Sequence, residues 1–152
     1  MEKSKKHKCF VEGPITSAFI ADSIEKHSAK HNIGAHAIFL GQVRADNING
    51  KKVVAIDYTA YDEMAEIEFH KIREACFAKY PELCCMHIYH SRGLVKTGEN
   101  SLFVFVSSPH RKDIFNILGE LVDSIKASVP VWGREVLEDG SHVWKENIYY
   151  KN

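Results

Sequence analysis

The run "NSLFVFVSS", residues 100 to 108, is nearly all apolar and rich in aromatic and β-branched side chains. A segment this short and this apolar belongs in the middle of a sheet. It follows "CCMHIYHSRG", a second strand, across the turn "LVKTGE". Ser107, Ser108 and Pro109 then offer cap candidates and a helix-starting proline for a helix whose stripe is Ile114, Phe115, Leu118, Leu121, Val122 and Ile125. Pro130 stops it.

The other segments fit around this centre. "KCFVE" reads as a strand before Gly13-Pro14, and Thr16 caps a helix in which Phe19, Ile20, Ser23, Ile24 and His27 recur at helical spacing. "GAHAIFLGQVR" and "VVAIDYTAY" read as strands joined by the polar loop "ADNINGKK". Tyr61, Ala65, Phe69, Ile72, Cys76 and Tyr80 mark one face of a long helix ended by Pro81. "VWGREVLEDGSHVWKEN" is a hairpin turning at Asp139-Gly140. The order β-α-β-β-α-β-β-α-β-β defines an α+β fold, one domain over residues 1–152 with a largely antiparallel sheet, three helices and a C-terminal β-hairpin; residues 1–8 are expected to be flexible.

Composition narrows the partners. With 20 basic and 20 acidic residues the formal net charge is zero, so a bound anion must be held by a local cluster, and nucleic acid is not expected. No apolar run approaches the ~20 residues that span a bilayer, so a cytoplasmic protein without membrane association is expected. Cys9, Cys76, Cys84 and Cys85 show no C-x-x-C spacing and read as reduced thiols. The nine histidines include His27 and His31 at i,i+4, and His87 and His90, but no recognised zinc pattern, so no metal site is expected.

Three places propose chemistry. Lys126 falls about 80° from the centre of the third helix stripe at 100° per residue. It is either a lysine whose stem packs while its ammonium reaches water, or, with Trp132, Arg134 and Glu135 close behind, a partly desolvated amine in a pocket. His110 and Arg111 occupy the expected first turn of that helix, suited to a phosphate or simply exposed. Arg44 ends its strand with the same two readings. Arg111 and Lys126, 15 positions apart, would be separated by roughly 22 Å along one helix, so a shared pocket needs a two-fold dimer.

"GAHAIFLGQVR", "YTAYDEMA", "SSPHRKDIF", "IKASVPVWGRE" and "DGSHVWKEN" together resemble, in order and spacing, the large catalytic subunits of molybdopterin synthase, from about Phe10 to Asn147. The resemblance implies an α/β-hammerhead fold and a sulfurtransferase. Such an enzyme takes sulfur from the C-terminal thiocarboxylate of a small ubiquitin-like partner and makes the dithiolene of molybdopterin from cyclic pyranopterin monophosphate. It implies a homodimer within a heterotetramer, no cofactor, and a sulfur brought in by the partner rather than by a cysteine. Carried over by position, Gln42, Val43, Arg44, His110 and Arg111 are implied to bind substrate, and Lys126 to orient the tail and move protons.

One departure stands out: many members carry a second pocket lysine where this chain has Gly133, followed by Arg134 and Glu135. The expectation is that Arg134 supplies the missing charge, with Gly133 and Glu135 lining the site, and that Lys126 does the acid/base work alone. Two rival readings remain: a dimeric module that binds the partner's tail without turnover, and a phosphate-binding domain unrelated to sulfur.

Overall fold

The computed structural model describes residues 8–145. The expected flexible start, but for Lys8, and the hairpin's last residues, Glu146 and Asn147, lie outside the described residues. The elements are β1 (Phe10–Glu12), α1 (Ser17–Glu25), β2 (Ala35–Gln42), β3 (Asn47–Ile48), β4 (Lys51–Ala60), α2 (Asp62–Lys79), β5 (Cys85–Lys96), β6 (Asn100–Ser108), α3 (Ile114–Ser128), β7 (Val131–Leu137) and β8 (His142–Trp144). The strands form one sheet in the order β2-β6-β5-β4-β7-β8, with β1 beside β5 and β3 beside β4. Among the described residues, only β1 and β5 pair in parallel. The expected α+β fold, largely antiparallel with three helices, is observed.

Strand β6 is central because both of its faces are covered. Leu102, Val104 and Val106 pack with Ala65 and Phe69 of α2 and with Ile117, Leu121 and Ile125 of α3. Phe103 and Phe105 point the other way, toward Ile15 and the α1 residues Phe19 and Ile20. Alternation along the strand thus divides an almost continuous apolar run between two helical layers.

The long strand β5 joins two halves of the sheet. Its first part, Cys85 to His90, pairs with β6, and Gly93 to Lys96 pairs with β4. Gly93, at φ 89°, lies where the partner changes from β1 to β4, a left-handed conformation that a side chain would disfavour. Beyond it, β4, β7 and β8 build a second lobe around Val43, Ile56, Tyr58 and Val95.

Four local expectations need correction. The loop at 45–52 contains β3, because Asn49 and Gly50 both adopt left-handed backbone, φ 52° and 82°, and close a two-residue hairpin. Helix α1 is capped by Thr16, whose Oγ1 accepts from Phe19 N at 3.2 Å, but it ends before His27. Helix α3 starts at Ile114, not at Pro109: Ser107 and Ser108 complete β6, and their carbonyls accept from Cys84 N and Gly34 N. Phe115, expected on the buried stripe, is 73% exposed. His110 and Arg111 therefore sit in the 109–113 connection, outside the helix.

Candidate functional site

Register decides which residues of the second lobe share a pocket. Strand β7 pairs with β4 so that Gly133 lies opposite Tyr58, Arg134 opposite Asp57, and Glu135 opposite Ile56. Because side chains alternate, Gly133, Glu135, Ile56 and Tyr58 share one face, whereas Trp132, Arg134 and Asp57 share the other. The charged run after the third helix is thus split. Arg134 donates from Nη2 to Asp57 Oδ2 at 3.2 Å. Trp132 meets Tyr61 edge-on at 5.3 Å, and a cleft of about 420 Å³ lies among Thr59, Ala60, Tyr61, Trp132 and Trp144 on Arg134's side.

On the Gly133 face Glu135 is only 7% exposed, and burial raises its pKa above the usual carboxylate value. Lys145 and Arg44 oppose that shift, while Asp46 adds to it. Lys145 is placed by its backbone N–H, which donates to Gly133 O at 2.8 Å. Tyr58 stands edge-on to His90 with ring centroids 5.0 Å apart, and its hydroxyl donates to Ser101 Oγ at 3.1 Å.

Lys126 reaches this region from the last turn of α3. The buried residues of α3 are Ile114, Ile117, Leu121, Val122 and Ile125, which places Lys126 roughly 115° from their centre at 100° per residue. The residue is exposed, but desolvation of its ammonium by the atoms packed around it and then the like charge of Lys145 lower its pKa below the usual lysine value. His90 is pushed down to about 4, by burial first and then by Lys126 and Lys145. Its Nδ1 lies 2.7 Å from Ser91 O, so the Nδ1–H donates there and Nε2 is left as an acceptor. A desolvated amine, a neutral imidazole, a buried carboxyl and a second lysine therefore converge from α3, β5, β7 and the end of β8.

The remaining expected residues fall into two groups. Gln42 and Arg44 are exposed at the end of β2, where a register shift after Gly41 re-aims the chain. Arg44 pairs with Asp46 at 3.4 Å and acts on Glu135. Val43 is buried, and both its backbone groups are engaged, with Glu99 O and Gly98 N, so it contributes a wall rather than a hydrogen bond. His110 and Arg111 are exposed at the opposite end of α3 from Lys126. The chain does not bring them to Lys126 by itself.

Lys145, His90 and Tyr58 were not singled out from the sequence as site residues. A two-residue turn at Asp139-Gly140 would pair Lys145 with Arg134. The observed loop spans 138–140, with Gly140 left-handed at φ 86° and Gly140 N donating to Leu137 O at 2.9 Å. This one-residue shift turns Lys145 to the Gly133 face. Among the described residues, no group of three or more His, Cys, Asp or Glu is placed to hold a metal ion.

Fold and site together define a hammerhead-like α+β protein in which Lys126, His90, Glu135 and Lys145 act on one another where α3 meets the second lobe. The chain belongs to the MoaE protein family, which it matches over residues 15–128. It is 40% identical over 114 residues to the molybdopterin synthase catalytic subunit of Taeniopygia guttata, covering 75% of this chain and 72% of that relative. It is also 40% identical over 143 residues to the subunit of the same name from Drosophila erecta; this match covers 93% of the chain but only 37% of that longer relative. The crystal structure of molybdopterin synthase from Staphylococcus aureus superposes with a TM-score of 0.79 at 28% identity, covering 95% of this chain and 99% of that one.

Proposed function

We propose that this chain is the catalytic subunit of a molybdopterin synthase, a sulfurtransferase acting with a small ubiquitin-like partner on cyclic pyranopterin monophosphate. The observation that carries the reading is the lowered pKa of Lys126 beside the charge of a second lysine, Lys145, with both lysines acting on a neutral His90. A lowered lysine pKa leaves more of the amine unprotonated near neutral pH, as proton transfer requires. The cationic surroundings favour an anionic ligand, here a thiocarboxylate tail or a phosphate.

In this mechanism the thiocarboxylate sulfur bonds to a carbon of the pterin side chain as that carbon's bond to oxygen breaks, the oxygen leaving with a proton as water or staying with the phosphate. A second thiocarboxylated tail repeats the step for the second sulfur. Water then attacks the acyl carbon, the bond between that carbon and sulfur breaks, and the tail leaves as a carboxylate with sulfur retained on the product. Lys126 takes the proton released by the water and orients the tail. The partner supplies the sulfur, so none of the four cysteines acts as nucleophile, and the chemistry of the transfer calls for no cofactor.

The assembly we propose is a cytoplasmic homodimer within a heterotetramer. Across its two-fold axis, His110 and Arg111 of one copy join Lys126 of the other and hold the substrate phosphate. Arg44 steers the anion at the pocket edge, while Arg134 stays with Asp57.

The test is single-turnover formation of molybdopterin from the pyranopterin monophosphate with a thiocarboxylated small subunit. Product is expected. Tail binding without product would select the binding-module reading, and phosphate binding with no affinity for the tail would select a domain unrelated to sulfur.

A further inference from the structure

We propose that Lys145 is a second anion-binding residue of the Lys126 pocket, gripping a phosphate- or carboxylate-type group of the ligand from the side opposite Lys126. The ligand's identity rests on the function proposed above; the anion site itself rests on geometry. The Lys145 backbone is pinned by the 2.8 Å hydrogen bond to Gly133 O, so its side chain leaves the ribbon on the face of Gly133, Tyr58 and Glu135.

Its Cβ lies 3.7 Å from the position a Cβ on Gly133 would take. That is ordinary van der Waals contact, so the base of the Lys145 side chain packs beside Gly133. Its charge acts on Lys126 from α3, on His90 from β5 and on Glu135 from β7. Two lysine ammonium groups held near one another repel, and an anion between them turns that repulsion into two attractions.

The charged and titratable groups around the pair are His90, Glu135, and Arg44 with Asp46 beside it. Glu135 is an acid on the same face, and its pKa is raised by burial. It offers an incomplete counter-charge. The ammonium that the sequence resemblance placed on β7 thus comes from the chain just after β8.

Two variants test this, Lys145→Met, which keeps the stem, and Lys145→Arg, which keeps the charge. Lys145→Met is expected to lower kcat/KM for sulfur transfer roughly tenfold or more, with recovery in Lys145→Arg. Its activity profile should also move to higher pH, because losing the like charge raises the Lys126 pKa; a merely structural change would not move that profile. A higher KM for the pterin alone assigns the anion to the substrate phosphate, and weaker tail binding alone assigns it to the thiocarboxylate.

Inorganic phosphate, titrated while following the Lys126 13Cε NMR signal, reads the site without turnover. Weaker phosphate binding in Lys145→Met supports the anion site even where the wild type transfers no sulfur, and then only the functional reading falls. Unchanged phosphate affinity in Lys145→Met, or unchanged kcat/KM and pH profile in an active enzyme, overturns the proposal.

Discussion

A Cβ on Gly133 would stand 2.9 Å from Ile56 Cγ2 and 3.4 Å from Tyr58 Cε1, both in the small core of the second lobe. The glycine is therefore a packing requirement of this chain as well as a missing charge. Gly133→Lys is expected to lower stability by about 1–3 kcal/mol, as overpacking does, without raising turnover. Urea melts and single-turnover rates check this, and a faster variant of unchanged stability would contradict it. Lys126 was legible as a pocket candidate because helical spacing alone puts it at the edge of an apolar stripe. Lys145 was not, because its face depends on one residue of register in the closing hairpin; Arg134, one residue after Gly133, faces the other side of the sheet and bonds to Asp57.

Among the elements, the connection from β6 to α3 carries His110 and Arg111, and one contact sets its path. A Cβ on Gly34 would lie 2.2 Å from the backbone oxygen of Pro109, which no side-chain rotation can relieve. Gly34→Ala is expected to displace the 109–113 segment and cut kcat/KM roughly tenfold to a hundredfold, the scale of a misplaced binding group, while leaving the pH profile of Lys126 in place. Unchanged kinetics would show that this connection does not position substrate. The strands and helices themselves were largely legible, because burial imposes periods of 2.0 and 3.6 that survive in the sequence. The start of α3 was not: Ser107 and Ser108 have cap chemistry, but β6 pairing takes their backbone groups, and Asp113 turns the chain into the helix at φ 63°.

For the whole molecule, the span of α3 is decisive. Ile114 and Lys126 are 12 positions apart, roughly 18 Å along the axis, so within one chain His110 and Arg111 do not reach Lys126, and the proposed site takes them from another copy. Mixing Lys126→Ala with Arg111→Ala subunits is expected to restore activity, up to about a quarter of wild type for random pairing, since each mixed dimer keeps one intact site. No recovery after subunit exchange would contradict a shared site. That one chain does not bring His110 and Arg111 to Lys126 was legible from helix length alone; the joining of two lobes at Gly93 was not, because it depends on the change of partner along β5. The most direct measurement is the single-turnover rate of molybdopterin formation by Lys126→Ala, beside wild type, with the thiocarboxylated partner and pyranopterin monophosphate. A loss of roughly a hundredfold or more is expected, the scale of general acid–base catalysis, with tail binding retained. An undiminished rate would contradict it.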